Sequence, residues 1–514
     1  MEQTEQKLIE KKANRSITIG TILGYISLAL SILSGLFFTP WIKQAIGKSN
    51  YGLYTLSTSL VNLFLIDFGL SATANTFLAK YRAKNDQESI SNFLAVIYRL
   101  YLIVDLFVLV GFIIVYFLID KIYVGLTPEE IKSFKYIFII AAGFSVISFP
   151  CTIFPGIIQS YEKFVALKII DIIHRVIFIG TSTLAILFHW DLIGLVIANF
   201  GSALLCHLIR YIFIKFKIKT KANFHFKAQK DFIKKVLFYS GWAAVNSITS
   251  RLVFNVMPSI LGVVADSENI ATFGYISQLE GYIYMFGNVI GGFFLPKIAR
   301  LKEEQDRTKI EDLATKIGKI QLYLIGLIFS GFVCCGYDFI NIWLKHDPST
   351  TIVYFGTIMI IAYQLIYIPQ IVYYNEMFIS NYVKSLAIGS LIKAGINCCL
   401  AFLFGYFYGA LGAAISVAIS RVFELAYVNF SYKRHLKANL GNFFKKVYLK
   451  SLPSFLIAII SSLPISLFLK TDEKIRFLVS GVVVILTFTV FYWLFALNKN
   501  EKNELLSKIK RRKK

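Results

Sequence analysis

The residues of this 514-residue chain that could do chemistry are charged side chains inside long apolar segments. Holding a charge at mid-bilayer costs about 2.5–3.5 kcal/mol on insertion scales, so such residues are kept for binding, transport or pairing. The cations at these positions are Arg99, Arg175, Arg210, Arg251, Lys393 and Arg421, and the acids are Asp67, Asp105, Asp171, Glu280 and Glu424. These side chains are the candidates for a functional site.

Several of these charges have an opposite charge close by on the same predicted helix. Asp171 and Arg175 are four residues apart, and Arg421 and Glu424 are three apart, so each pair could neutralise itself. Asp67 could bond neighbouring helices through its carboxylate. For all five residues, both a transport role and a structural role stay open.

Arg251 and Lys393 have no acid within four residues on their own helices. Each is followed four residues later by an asparagine, Asn255 and Asn397, on the same helix face. A cation and an amide donor on one face could hold a phosphate group. The alternative is an ion pair with an acid on another helix, such as Glu280.

The composition of the chain shows which elements must position these residues. Hydrophobic residues make up 56% of the sequence and charged residues only 16%, whereas soluble domains carry roughly 25% charged residues. The mean hydropathy is +0.63. A soluble globule could not bury this much apolar surface, so the chain is predicted to be an all-α integral membrane protein.

Apolar runs long enough to cross a bilayer number about fourteen. They span residues 17–41, 53–79, 93–119, 135–158, 169–188, 192–213, 236–264, 270–296, 313–337, 351–376, 385–404, 408–430, 450–469 and 476–497. Prolines inside them are expected to bend the helices: Pro150, Pro155, Pro258 and Pro369.

Lys and Arg in alternate gaps between the spans predict the orientation of the chain. With the N-terminus inside, 39 of the 54 Lys and Arg lie in cytoplasmic segments, 9 in outer segments and 6 within spans. Both termini are therefore predicted to be cytoplasmic. The formal charge of +24 thus reflects topology, and nucleic acid is not expected as a partner.

Features of an enzyme or a metalloprotein are missing from the sequence. The six cysteines all fall in apolar spans, and no CxxC, HExxH, GxSxG or DxD pattern is present. The outer loops are short, and the longest hydrophilic segment, 214–235, has a single acid, Asp231. We expect a transporter with no catalytic residues, no metal and no cofactor.

A weak internal repeat divides the chain. Asp86 pairs with Asp306 at an offset of 220, and at an offset of 218 the matching pairs are Gly194 with Gly412, Ser202 with Ser420 and Lys215 with Lys433. Spans 1–6 and 7–12 are thus predicted to be two pseudo-symmetric six-helix lobes of the same orientation, with spans 13 and 14 outside the duplication. The predicted parts are residues 1–215, 216–433 and 434–514.

The repeat also places cations at corresponding positions. Arg175 falls on Lys393 at the 218 offset, and Arg99 falls on Lys319 at the 220 offset. Cations that recur in both lobes predict a basic lining of a central cavity. The substrate is therefore expected to be anionic.

Three stretches resemble the Wzx-type polysaccharide flippases of the multidrug/oligosaccharidyl-lipid/polysaccharide (MOP) exporter superfamily. IGKSNYGLY at 46–54 is similar to that family's LGxxxYGxY stretch, DFGLSA at 67–72 to its DxGL stretch, and GALGAA at 409–414 to its glycine-rich start of span 12. One difference is Asn255, where many relatives carry an aspartate. An acid-based coupling role at that position is therefore not expected.

The resemblance implies a function. It suggests a flippase that moves an undecaprenyl-pyrophosphate-linked oligosaccharide across the bacterial inner membrane by alternating access, for O-antigen, lipopolysaccharide or capsule synthesis. Substrate-binding residues would be Arg251, Lys393, Arg175, Arg421, Arg99, Asn255 and Asn397, and coupling or structural acids would be Asp67, Glu280, Asp171 and Glu424. H⁺ or Na⁺ as coupling ion, membrane lipid and a glycan polymerase are the implied partners.

Other functions remain open at this point. A lipid II flippase similar to MurJ shares the fourteen-span layout. A drug or cation antiporter of the MATE branch normally has twelve spans and needs acids for cationic drugs, whereas this chain has a predicted basic cavity. A membrane glycan polymerase or ligase is a distant further alternative.

Overall fold

The computed structural model describes residues 2–66, 69–226, 245, 248–249, 251–288, 294–304, 306–380, 382–469, 471–499 and 501–503. These residues form helices joined by short turns, which confirms the predicted all-α fold. The chain separates into two compact units, Met1–Ala271 and Thr272–Lys514. The predicted lobe boundaries near residues 215 and 433 stay a prediction.

The first unit contains nine helices among its described residues and the start of a tenth. They are α1 (Glu2–Ile46), α2 (Lys48–Phe64), α3 (Leu70–Ala83), α4 (Gln87–Ile122), α5 (Pro128–Ser148), α6 (Phe154–Ser160), α7 (Phe164–Leu187), α8 (Asp191–Phe213), α9 (Met257–Val264) and α10 (Ser267–Asn288). The boundary between the units falls within α10.

The second unit contains the rest of α10 and seven further principal helices in its described part. They are α11 (Leu295–Glu303), α12 (Arg307–Leu344), α13 (Thr350–Ala362), α14 (Ile371–Ile379), α15 (Val383–Leu436), α16 (Leu452–Phe468) and α17 (Glu473–Phe491).

Long apolar helices make the chain a multi-pass membrane protein. Nine segments of the described residues are long and apolar enough to cross a membrane. Large apolar side chains point outward along them, including Phe37 at 74% exposure and Phe107 at 72%. Such surfaces are stable against lipid tails and would be costly in water.

The second predicted span is not one continuous helix. Residues 53–79 were expected to be a single segment, but α2 ends at Phe64 and α3 begins at Leu70. Gly69 adopts a left-handed conformation with φ 70°, which glycine reaches without the penalty that a Cβ imposes. The helix therefore stops and restarts inside the predicted span.

Pro150, Pro155, Pro258 and Pro369, the four prolines expected to bend the helices, lie at helix breaks. Pro150 lies in a 3₁₀ turn that follows α5, and Pro155 lies in the first turn of α6. Pro258 opens α9, and Pro369 lies in the 3₁₀ turn before α14. Proline lacks the N–H that a continuing helix needs, so these positions fix the bends.

Predicted spans 11 and 12 lie on the two arms of α15. The backbone leaves the helical conformation at Gly409 (φ 53°, ψ −130°), which separates residues 383–408 from 410–436. A Cβ at Gly412 would overlap the carbonyl oxygen of Phe404. Only glycine allows the second arm to begin so close to the end of the first.

Asp86 and Asp306, paired in the sequence repeat, have the same local structure. Each caps the N-terminus of a long helix, with φ/ψ of −87°/85° before α4 and −90°/86° before α12. Hydrogen bonds from Ser89 hold the pKa of Asp86 below its usual value. Hydrogen bonds from Thr308 and from Lys309 lower the pKa of Asp306 to about 2.

The motif at 46–54 makes packing contacts within the first unit. Ser49 donates a 2.5 Å hydrogen bond to Glu130 at the start of α5. The hydroxyl of Ser267 lies 3.0 Å from that of Ser49 and also donates to Glu130. A Cβ at Gly52 would overlap the carbonyl oxygen of Ser267. These contacts therefore hold α2 against α5 and against the start of α10.

The last two helices pack on α12. Tyr323 of α12 contacts Phe488 and Tyr492 at ring-centroid distances of 5.9 and 5.2 Å. The guanidinium of Arg476 forms an ion pair with Asp338, with Nε 2.8 Å from Oδ2. Aromatic contacts and an ion pair therefore hold α17 and the residue after it against α12.

Candidate functional site

The second unit brings four charged side chains together. Glu280 lies on α10, Lys393 on the first arm of α15, and Arg421 and Glu424 one turn apart on its second arm. Arg421 Nη2 is 2.9 Å from Glu280 Oε1, and Lys393 Nζ is 2.7 Å from Glu424 Oε1. We call Glu280, Lys393, Arg421 and Glu424 the four-charge network.

Two polar side chains just after α13 join the two ion pairs. The hydroxyl of Tyr363 donates to Glu424 Oε2 at 2.9 Å, and the ring of Tyr363 lies 5.0 Å from the guanidinium of Arg421. Gln364 donates to Glu280 Oε1 at 2.8 Å. The network is thus a connected set of charge-assisted hydrogen bonds.

The network is buried and electrically balanced. Glu280, Arg421 and Glu424 are 4%, 7% and 6% exposed. The two cations and two carboxylates of the network have a formal sum of zero. Removing one partner of a buried pair leaves an uncompensated charge, at a cost of about 3–5 kcal/mol. The first effect of the four-charge network is therefore to hold α10 and both arms of α15 together.

This arrangement gives Lys393 an acidic partner, the alternative that the sequence left open, with Glu424 in place of the suggested Glu280. Its partner is Glu424, which is 31 residues away in sequence but on the facing arm of the bent helix. The local pairing suggested for Arg421 and Glu424 is replaced by pairs across helices. Asn397 is fully buried and accepts a 3.3 Å hydrogen bond from Ser416.

In the first unit, the charges on α7 and α8 are arranged differently. Asp171 lies 2.8 Å from Arg210 Nη2 and 3.2 Å from Lys168 Nζ. Arg175, suggested as the local partner of Asp171, donates from Nε to Ser34 at 2.7 Å and from Nη2 to a carbonyl of α1. We call Lys168, Asp171, Arg175 and Arg210 the α7–α8 charge cluster.

The α7–α8 charge cluster carries three cations and one carboxylate, a formal charge of +2. Ser34 and a carbonyl of α1 accept hydrogen bonds from Arg175 and orient its guanidinium. The four residues that define this cluster thus have a net positive charge, whereas the four residues of the four-charge network sum to zero.

Arg251 precedes a helix break. Its Nη1 donates to the carbonyl oxygen of Asn62 on α2 at 2.6 Å. The backbone N–H of Asn255 donates to the carbonyl of Arg251 at 2.9 Å, and α9 starts two residues later. The cation and the amide thus lie one turn apart, as the sequence predicted.

Arg99 and Lys319 do not share the same environment, although the repeat superposes them. Arg99 donates to the carbonyl oxygens of Phe226, at 2.7 Å, and of Phe224. Lys319 is 3% exposed and forms an ion pair with Glu501 at 2.8 Å. Repeated charge in the sequence therefore did not give a repeated site.

Asp67 lies outside the described residues. Tyr363 and Gln364, which complete the four-charge network, were not identified from the sequence. The sequence feature that could have identified them is that Tyr363 and Gln364 form an adjacent polar pair in the middle of the apolar segment 351–376.

Solved structures identify the fold. The lipid II flippase MurJ, in an inward closed conformation, matches with a TM-score of 0.73 at 19% identity, covering 93% of this chain and 98% of MurJ. An inward-facing multidrug resistance MATE family transporter of the MOP superfamily matches with a TM-score of 0.66 at 12% identity, covering 83% and 99%. The fold is that of the MOP superfamily transporters.

A third match is a MOP superfamily transporter from Pyrococcus furiosus, described as having a binding pocket of reversed polarity. Its TM-score is 0.59 at 13% identity, with 82% of this chain and 96% of that chain covered. The MurJ match covers 93% of this chain, and residues 1–433 alone make up less than that. The match must therefore also include residues after 433. The helices after the second predicted lobe therefore also follow the MurJ fold in part.

Sequence comparison gives the family. No curated protein matches the chain. A sequence model of the family described as "Polysaccharide biosynthesis protein" matches residues 20–302, which is more than half of the chain. The match includes α2, both motifs near the second predicted span and the whole α7–α8 charge cluster. The chain therefore belongs to the polysaccharide biosynthesis protein family.

Proposed function

We propose that this protein is a flippase for a lipid-linked oligosaccharide used in cell-surface polysaccharide synthesis. The substrate would be an undecaprenyl-diphosphate-linked repeat unit, moved from the cytoplasmic to the outer leaflet of a bacterial inner membrane. Family membership supports the polysaccharide pathway, and the MOP fold supports transport. The lipid-linked diphosphate is the part of the substrate that the charges of this chain would recognise.

The observation that carries the proposal is that the α7–α8 charge cluster brings three cations together, two of them guanidinium groups. A diphosphate is a compact anion with several acceptor oxygens, which suits the planar guanidinium groups of Arg175 and Arg210. Ser34 and a carbonyl of α1 accept from Arg175 and fix the orientation of its guanidinium, while Arg210 is paired with Asp171. Arg175 is therefore the residue that we assign to the diphosphate, with Arg251 as a second cation of the same unit.

The four-charge network would serve the transport cycle rather than the substrate. Its charges are already satisfied within the second unit, and protonation or ion binding at Glu280 or Glu424 would unbalance it. A coupling ion, H⁺ or Na⁺, could thus change the packing of α10 against α15. In such an alternating-access cycle the substrate is moved across the membrane, and none of its bonds is made or broken.

A lipid II flippase is the second candidate. The observation that favours it is the MurJ match, which covers more of this chain than the MATE match does. Lipid II also carries a diphosphate, so the same cations would suit it. A MATE-type drug antiporter is less favoured, because a cluster with a formal charge of +2 repels cationic drugs.

The test is transport by purified protein in liposomes that contain a fluorescent undecaprenyl-diphosphate oligosaccharide. A membrane-impermeant quencher measures the flipped fraction. A charge-assisted contact contributes about 1.5–3 kcal/mol, so Arg175→Gln should slow flipping roughly tenfold or more. Arg175→Lys should retain part of the rate because the charge remains.

Ser34→Ala is the matched control, since it removes the hydrogen-bond partner of Arg175 and leaves the cation in place. It should keep most of the flipping rate. Equal loss in Ser34→Ala and Arg175→Gln, together with low protein abundance, would show that Arg175 is structural. Faster movement of lipid II would favour the second candidate, and recovery of a polymerised glycan would reject the transporter.

A further inference from the structure

A basic pocket with aromatic walls lies in the first unit, apart from the α7–α8 charge cluster. Its volume is about 850 Å³. It is lined by residues near the start of α4, the start of α6 and the end of α8, and by residues between 214 and 224. Charge counting predicts that this end of the unit faces the cytoplasm.

The cations of the pocket come from one short stretch of chain. Lys215, Lys219 and Lys221 line it and are exposed, and none of the twelve described lining residues is acidic. Lys219 ends the helical segment in a left-handed conformation with φ 60°, which turns the chain toward α4. The three ammonium groups thus all come from residues 215–221.

The apolar part of the pocket adjoins these cations. Lys215 Nζ lies 6.0 Å from the ring centroid of Tyr211 and 5.8 Å from that of Phe216. The ring of Phe154 packs 6.2 Å from that of Tyr211. Phe216 is 63% exposed. The pocket therefore offers positive charge and an apolar wall side by side.

The segment that carries Lys221 is fixed in position. Ser91 donates to the carbonyl of Lys221 at 2.8 Å, and Asn223 donates to Asn92 at 3.0 Å. Arg99 donates to the carbonyl of Phe226 at 2.7 Å. These bonds to α4 explain why Arg99 is kept in a membrane helix: it positions the wall of the pocket.

We propose that this pocket binds the headgroup of an anionic phospholipid of the cytoplasmic leaflet. The lipid phosphate contacts Lys215, Lys219 and Lys221, and an acyl chain follows Phe216 and Tyr211. A soluble phosphate would use the lysines but not the exposed aromatic wall, and a zwitterionic lipid would use the wall but gain little from the lysines. This site is separate from the proposed transport function and does not depend on it.

The test is lipid binding to detergent-purified protein by native mass spectrometry, with phosphatidylglycerol and phosphatidylcholine as probes. Each lysine near an anionic lipid contributes about 1 kcal/mol, so Lys215→Gln/Lys219→Gln/Lys221→Gln should weaken phosphatidylglycerol binding at least about tenfold. Phe216→Ala should weaken it less, and the triple lysine variant should leave the weak phosphatidylcholine binding unchanged.

The repeat offers a matched control. Lys433 and Lys437 correspond to Lys215 and Lys219, and Lys437 is also left-handed with φ 53°. The variant Lys433→Gln/Arg434→Gln/Lys437→Gln removes the same charge outside the pocket and should bind phosphatidylglycerol like wild type. Equal loss in both triple variants, equal binding of the two lipids, or displacement of phosphatidylglycerol by inorganic phosphate at matched concentration would overturn the proposal.

Discussion

At the scale of residues, the two units hold membrane charges in different ways. The four-charge network pairs each cation with a carboxylate from another helix or arm. In the α7–α8 charge cluster, Arg175 bonds a hydroxyl and a backbone carbonyl of α1. An arginine thus has a structural contact in the four-charge network, where it is Arg421. In the α7–α8 charge cluster an arginine, Arg175, is assigned a substrate contact.

The Lys393–Glu424 pair leads to a stability prediction. Lys393→Met leaves Glu424, whose side chain is 8% exposed, without its cation, and should destabilise the protein by about 3–5 kcal/mol. Adding Glu424→Gln removes the buried charge and should recover most of that loss. Thermal unfolding in detergent, followed by size-exclusion chromatography, measures the effect.

Lys433→Met is the control for this cycle, because Lys433 is exposed on the same helix. It should shift the unfolding temperature little. Additive losses from Lys393→Met and Glu424→Gln, with no recovery in the double variant, would mean that the two residues do not stabilise each other.

At the scale of elements, breaks in the helices matter as much as the helices. The second predicted span is interrupted before Leu70, and prolines interrupt others at 150, 258 and 369. The bend at Gly409 brings Lys393 opposite Glu424. Without that bend the two arms would form one straight helix and the network could not form.

The bend gives a prediction at Gly412. Gly412→Ala places a Cβ against the carbonyl of Phe404, a backbone atom that cannot move aside, and we expect a loss of about 1–3 kcal/mol from the overpacked contact. Gly395→Ala on the first arm meets nothing within 4 Å. It should be neutral or stabilising by about 0.5–1 kcal/mol. Membrane abundance and unfolding temperature compare the two variants, and equal behaviour would show that the turn tolerates a Cβ.

At the scale of the whole molecule, hydropathy and charge distribution describe the protein well. The chain is a multi-pass membrane protein with the MOP superfamily fold, and it belongs to the polysaccharide biosynthesis protein family. Its orientation in the membrane rests on the uneven distribution of Lys and Arg, which is a prediction that labelling can test.

The topology prediction uses single cysteines in a variant whose six native cysteines are replaced. Cysteine at His225 or Lys437 should resist a membrane-impermeant maleimide added to intact cells, because both positions are predicted to be cytoplasmic. Cysteine at Val124 or His346 should react, since these exposed turns are predicted to be outside. Labelling of position 225 with protection of position 124 would invert the map.

Much of the fold followed from local sequence signals. Long apolar runs predicted the helices, because a bilayer requires about twenty apolar residues in each helical span. The match of Asp86 with Asp306 anticipated two identical helix caps. Such features depend on neighbours within a few residues, and the sequence displays those directly.

The partners of the charges could not be predicted in the same way. Glu280 and Arg421 are 141 residues apart in sequence, yet their side chains lie 2.9 Å apart. Spacing along one helix suggested Arg175 for Asp171, whereas the structure pairs Asp171 with Arg210 of the next helix. The sequence by itself determined the helices, the membrane setting and the family resemblance. Only the tertiary structure decided which charges cancel, because that depends on which helix faces pack together and where Gly409 bends the chain.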